Sequence, residues 1–333
     1  MGVLTMSQRA SFGETQNVAI TVLVDNRADL IVKSTDTVKY FDGTPLLAEH
    51  GFAALIDLHA AGVKILWDAG VTQVTLLENI KRIKIDPTTI DKIALSHGHD
   101  DHTAAVADVL RAMDLKPKFR KWEPSATPEE IRQWGAGRRV PVIVHPAAFR
   151  ERWDTPTDGT KYSSSPPPPR VEWEALGAEI ILSEGPRELG PGCWTTGAIP
   201  RQSFETSGVP PTMAYREGDA FIRDHIEDDQ AIVINVQDKG LVILSGCAHS
   251  GIVNTVHHAC AISGVDEIWA ILGGFHLAEA KDEEIQRTVG EIKQCRPRLI
   301  VPSHCTGFKA MCQFAMQMPD EFLPGVVGAT YLF

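Results

Sequence analysis

No two cysteines in this 333-residue chain stand at C-x-x-C spacing, and the six of them (193, 247, 260, 295, 305, 312) form no dense framework. That argues against a structural zinc ribbon and for reduced thiols in a cytoplasm. No apolar run approaches the ~20 residues that a bilayer span requires, so no membrane partner is expected. The opening MGVLTMSQRASFGETQ has no signal-peptide core, and Met6 breaks the N-myristoylation pattern after Gly2. An excess of positive charge is missing too. The formal net charge of -11 argues against a nucleic-acid surface, which favours clustered Lys and Arg. The basic stretches KPKFRKW (116–122) and GRR (137–139) read as a solvated helix and loop.

What is present is an ordinary globular composition, 43% hydrophobic and 23% charged, enough to bury a large core. The runs VAITVLV (18–24), EIILS (179–183), AIVINVQ (231–237), LVILSG (241–246), EIWAILGG (267–274) and LIVPSH (299–304) predict strands. Residues 51–70 predict two strands around a turn at Ala61-Gly62, and 91–96 and 141–146 two short ones. Apolar positions 71, 74, 76, 77, 80 and 83 predict a helix over 71–84. A short helix is expected at Pro87, and longer ones over 103–113, 251–263 and 282–294. The Pro/Ser-rich run 155–170 predicts an exposed polyproline-like loop. Paired strands followed by a helix, occurring twice, predict an α/β protein in which two sheets pack together with helices outside: an αββα sandwich. The whole chain, 1–333, is expected to be one domain with a less regular insertion at about 114–175.

One stretch carries unusual chemistry. KIALSHGHDDHTA (92–104) places three histidines and two aspartates within six residues, at the end of a predicted strand. His97 and His99 can converge on one ion, while Asp101 and His102 point to a second. Neutral imidazole and carboxylate suit zinc, iron(II) or manganese. Three later strands also run directly into histidines: His249 after LVILSGCA, His276 after IWAILGGF and His304 after LIVPS.

These motifs, with WDAG (67–70) ahead of HxHxDH, resemble the metallo-β-lactamase-fold superfamily of metallohydrolases. More narrowly, EHGF (49–52), GCAHSGIVNT (246–255), GGFHL (273–277) and SHCTG (303–307) resemble the branch named for a dihydropterin phosphoribosyl-aminobenzene synthase. The resemblance implies a four-layer sandwich and two divalent ions, zinc first, with iron or manganese as alternatives. It implies that His97 and His99 hold the first ion, and that Asp101, His102 and His304 hold the second. The superfamily's GHT-like histidine is missing around TGAIPR (196–201), and its Gly-Asp pair reads Gly246-Cys247. His249 is therefore inferred to supply the missing imidazole, with Cys247 either a soft ligand or a packing residue. His276 is a further ligand or a substrate contact. Asp68 is expected to hold an imidazole in its ligating tautomer, and Asp100 to cap a helix or support a ligand.

Such a site lowers the pKa of a water held between the ions and makes a nucleophile near neutral pH, with Asp101 orienting it. His50 and Arg201 are candidate contacts for an anionic small-molecule substrate. The backbone amides at Ser250-Gly251, which open the helix after His249, are a further candidate for receiving an anion. The primary expectation is a hydrolase of a small ester, lactone or phosphate compound. The alternatives are a pterin-related condensing synthase, in which the metals stabilise a phosphoribosyl leaving group, and an iron-dependent redox protein of the same fold. A homo-oligomer is compatible with either.

Overall fold

The computed structural model describes residues 12–29, 31–116 and 123–333. The opening segment and positions 117–122 of the basic stretch lie outside the described residues. Eight strands form one sheet, in the order Val38–Tyr40, Ala329–Leu332, Val18–Val24, Ala53–Leu58, Val63–Trp67, Lys92–Ala94, Val140–Val144 and Ala178–Leu182. Six form a second: Arg187–Gly190, Cys193–Thr195, Ala231–Val236, Gly240–Ser245, Ile268–Gly274 and Leu299–Ser303.

Three apolar layers account for the stacking. Ile56, Trp67 and Tyr331 of the first sheet meet Ile232, Leu244 and Val301 of the second in a core between the sheets. Leu76, Ile80, Val109 and Trp173, from three helices, cover the outer face of the first sheet. Val256, Ile285, Val289 and Phe314 cover the outer face of the second. A strand buried on both faces must be apolar almost throughout, which is why Val18–Val24 has only Thr21 less than fully buried. Thr21 meets Thr330 of the neighbouring strand through their hydroxyls, 2.9 Å apart. The αββα sandwich is thus the observed architecture.

Helix Gln73–Ile83 begins where the Thr72 side chain accepts from Thr75 N, and it ends at Lys84 in the left-handed region. The helix expected over 103–113 is instead two: Asp100–Thr103 and Val106–Ala112. The run 155–170 is not wholly a loop. Tyr162–Ser165 pairs antiparallel with Arg152–Asp154. Those two strands join Met213–Glu217 and Ala220–Arg223 in a third sheet of four strands. The four prolines that follow cannot donate to a ladder, but the Tyr-Ser-Ser-Ser segment ahead of them can.

In the first sheet, Val63–Trp67, Lys92–Ala94, Val140–Val144 and Ala178–Leu182 are parallel neighbours. In the second, Gly240–Ser245, Ile268–Gly274 and Leu299–Ser303 are parallel neighbours. Parallel strands deliver their C-terminal loops to one rim, the usual place for a site in such sheets. Among the described residues, no helix is long and apolar enough to cross a membrane.

Candidate metal centre

Four residues that immediately or closely follow rim strands hold backbone conformations uncommon for non-glycine residues: Asp68 (φ 58°), Ala248 (φ 56°), His276 (φ 46°) and His304 (φ 46°). Such strain, of order 1 kcal/mol or more per residue, persists only where surrounding contacts impose it, and here it collects at one rim. Gly98 answers a different need. A Cβ there would drive into Ala148 O and lie 2.6 Å from Arg152 Nη1, so only glycine fits between His97 and His99.

The first group of donors is three imidazoles. His97 Nε2 lies 2.9 Å from His99 Nδ1 and 3.2 Å from His249 Nε2. The other nitrogens of His97 and His249 are already committed. Ser96 Oγ donates to Asp68 Oδ2 (2.7 Å), so it accepts from His97 Nδ1–H at 2.9 Å. His249 Nδ1 donates to Gly208 O at 2.6 Å. Nitrogen lone pairs therefore face one another, an arrangement that repels unless a cation lies between them. Zinc bonds of 2.0–2.1 Å in a tetrahedron place nitrogens roughly 3.3–3.4 Å apart, close to the spacing found. Burial holds all three imidazoles well below their ordinary pKa, with His99 down at about 3, where the Arg152 charge adds to the effect. Neutral imidazole is the ligating form.

The second group lies beside it. Asp101 Oδ2 is 3.3 Å from His304 Nε2 and 3.6 Å from His102 Nε2. Cys247 Sγ is 3.0 Å from His102 Nε2 and 3.3 Å from His304 Nε2. Asp68 Oδ2 accepts from His102 Nδ1 at 2.7 Å, which turns the Nε2 lone pair to the centre. Burial pulls His102 down, but the carboxylates of Asp101 and Asp68 overcome it and hold the ring up at about 9. A cation held there would take the place of the Nε2 proton. His304 is set by Asn26, whose Oδ1 lies 3.3 Å from Nδ1 and whose Nδ2 donates to the His304 carbonyl at 3.2 Å.

Among the described residues, four sets of donors on this rim could hold a metal ion, and Cys247 belongs to three of them. It occupies the middle, with His97 and His249 on one side and Asp101, His102 and His304 on the other. The structure thus brings together His97, His99, Asp101, His102, Cys247, His249 and His304. His276 is adjacent, its ring centroid 4.3 Å from that of His249. His50 is exposed at the lip, with Nε2 3.4 Å from Asp101 Oδ2.

Arg201 is not brought to the donors as a free cation. Its guanidinium donates to the carbonyls of His249 (2.5 Å) and His225, fixing the loop that carries His249. The amides after His249 also differ from expectation. Ser250 N donates to Asp229 at 2.7 Å, and Val253 N and Asn254 N donate to Glu205, so the chain's own carboxylates occupy the proposed anion site. Asp100 is the first residue of a helical turn whose N-cap is His99, and it lies exposed. Glu49 receives Thr72 N, Thr72 Oγ1 and Thr75 Oγ1, pinning the start of helix Gln73–Ile83.

A cleft of roughly 360 Å³ opens over the centre. His50, Val71, His99 and Asp101 line one part, and Ser165 and Met213 of the third sheet line the other. A larger cleft near Arg111, Lys116 and Arg138 contains none of the histidines. Two of its cations are committed: Arg111 to Asp108 and Glu172, and Arg138 to the carbonyls of Thr88 and Ile90.

Beneath the first donor group lies a network that the sequence does not signal. Arg152 Nε donates to Asp224 Oδ2 at 2.8 Å and Arg152 Nη2 to Asp228 Oδ1 at 2.5 Å, with all three side chains essentially buried. Asp228 Oδ2 also accepts from Gly98 N at 2.7 Å, inside the HxH turn. Arg152 thereby ties the third sheet to the ligand loop.

A rim of imidazoles, one carboxylate and a central thiol, mounted on two stacked sheets, makes a candidate metal centre. Residues 48–202 match the family model of the Metallo-beta-lactamase superfamily. The chain is similar to the 7,8-dihydropterin-6-methyl-4-(beta-D-ribofuranosyl)-aminobenzene-5'-phosphate synthase of Methanocaldococcus jannaschii: 29% identical over 316 residues, spanning 94% of this chain and 95% of the relative. Among solved structures, it resembles a metal-dependent hydrolase of the beta-lactamase superfamily, with a TM-score of 0.68, 21% identity and coverage of 94% and 98% of the two chains. It also resembles the metallo-beta-lactamase fold protein YhfI of Bacillus subtilis, with a TM-score of 0.52, 11% identity and coverage of 96% and 100%.

Proposed function

We propose that the protein is a metal-dependent synthase that joins a dihydropterin, activated at its 6-methylene carbon by an anionic leaving group, to an aminobenzene bearing a ribofuranosyl 5'-phosphate. The new bond forms at that carbon as the leaving group departs with its electron pair, and the proton displaced from the aminobenzene goes to solvent. The observation that carries this reading is the end-to-end likeness to the synthase, which extends over nearly the whole of both chains. We further propose two divalent ions, zinc in the first instance: one held by His97, His99 and His249, the other by Asp101, His102 and His304, with Cys247 between them. When bound, such ions supply Lewis-acid charge against the oxygens of an anionic group.

The chain's own residues do the rest. His50, on the lip and beside Asp101, presents an imidazole N–H to an anionic substrate group. Val71 and Met213 both line the cleft and offer apolar surface suited to a flat ring, and Ser165 adds a hydroxyl. The third sheet forms a wall that limits water around the reacting atoms, which a condensation needs. Arg201 acts through the His249 loop rather than on the substrate.

Hydrolysis of a small ester, lactone or phosphate compound is the second reading. It is favoured by the access solvent has to the mouth of the centre, where the Asp101 side chain is 16% exposed and that of His50, at the lip, is 66% exposed. To separate the two, zinc-loaded protein is incubated with a dihydropterin bearing an activated 6-methyl group and the ribofuranosyl-aminobenzene phosphate. A parallel panel holds a phosphodiester, a lactone and a thioester. Mass spectrometry is expected to detect the coupled product. Turnover of the panel without coupled product overturns the synthase in favour of the hydrolase.

A further inference from the structure

The dinuclear reading leaves two rim residues without a role, His276 and Cys305. We propose that Cys247, His276 and Cys305 form a thiophilic cation subsite contiguous with the two-ion centre, taking a soft ion of the Cd²⁺ class after zinc has filled that centre. This rests on the two-ion reading.

Three adjacent parallel strands, Gly240–Ser245, Ile268–Gly274 and Leu299–Ser303, each deliver one donor just beyond their C-terminal ends. The two sulfurs and one imidazole nitrogen all lie within 4.8 Å of one another. A tetrahedral ion with bonds of 2.0–2.3 Å sets its donors roughly 3.3–3.8 Å apart, so an inward movement of about an ångström closes the set. His276 Nδ1 is buried and has no hydrogen-bond partner among the described residues. The ring itself interacts with the Cys305 thiol, so the imidazole and that sulfur already face each other. The backbone is arranged to bring the donors in: His276 is held at φ 46°. A Cβ at Gly274 would lie 2.7 Å from Cys305 Sγ, so glycine is what admits the thiol.

Two thiolates and an imidazole prefer soft or borderline ions over Mn²⁺ and Mg²⁺. Binding releases the thiol protons to solvent, so uptake involves no change of oxidation state. Cys247 serves both neighbouring sets through one sulfur, whereas Cys305 and His276 belong to this set alone.

The test loads the full chain with zinc and titrates it with Cd²⁺, following bound metal by mass spectrometry and the thiolate-to-cadmium ultraviolet band. Wild type is expected to take a third equivalent with growth of the band, and none of Mn²⁺. Cys305→Ser and His276→Ala are expected to lose the third equivalent and keep the first two, with unchanged circular dichroism. Should either variant unfold, Cys305→Ala provides the same comparison. Saturation at two ions without a new band, or a third equivalent that survives Cys305→Ser, overturns the subsite and leaves the two-ion centre standing. Failure to hold even two ions, with the cadmium band still dependent on Cys305, overturns the two-ion reading and supports the subsite.

Discussion

Replacing Asp228 by Ala is expected to cost about 3–5 kcal/mol of folding stability, the usual penalty for breaking a buried, hydrogen-bonded ion pair from one side. Arg152 would keep only Asp224, and its Nη1 already has no partner among the described residues. Gly98 N would lose its acceptor as well, so the turn between His97 and His99 would loosen. The expected readout is a lower midpoint of urea unfolding at unchanged slope. Asp228→Asn should not restore the loss, because an amide that accepts from Gly98 turns its NH₂ toward the guanidinium. Replacing Arg152 by Met together with both Asp224 and Asp228 by Leu should recover part of it, since neither carboxylate then remains buried without the guanidinium. An unchanged midpoint in Asp228→Ala would show that the network is not an anchor.

Asp101→Asn is expected to lower affinity for the second ion and product formation by at least about a hundredfold, beyond what removal of a merely supporting partner does. A single oxygen, Oδ2, faces His50, His102 and His304 at 3.4, 3.6 and 3.3 Å. Burial alone would raise this carboxyl, but the three imidazoles overcome that and hold it well below the usual range, so it is anionic wherever the protein works. The amide is nearly the same shape and carries no charge. In metal-free protein, His102 should titrate near 9 and move down in the variant, because Asp101 is the largest influence opposing burial. Proton NMR of the imidazoles measures that shift. Equal metal content and turnover in wild type and Asp101→Asn would remove the residue from the centre.

The parts of this molecule legible in its sequence are those written locally. HGHDDH is contiguous, and the strands before Cys247, His276 and His304 are uninterrupted apolar runs because both of their faces are buried. Helix 282–294 coincides with its apolar period. The third sheet was hidden because its strands are three to five residues long and mix Arg, Asp, Glu and Ser with apolar positions. The closing strand Ala329–Leu332 is equally short, and its place depends on partners at Val38–Tyr40 and Val18–Val24. The Arg152 network could not be read because its members lie 72 and 76 positions apart. HIEDDQ looks like a solvated turn, yet Asp228 and Asp229 are fully buried. The position of Cys247 between two donor groups could not be fixed from Gly246-Cys247 alone, since it depends on where three other strands end.

Metal analysis of wild type beside His249→Ala tests the two-ion centre most directly. Wild type, purified without chelator and reloaded with zinc, should carry about two ions per chain. The variant, without the imidazole whose Nε2 lies 3.2 Å from that of His97, should carry about one. Fewer than one ion per wild-type chain, or the same content in both proteins, would contradict it.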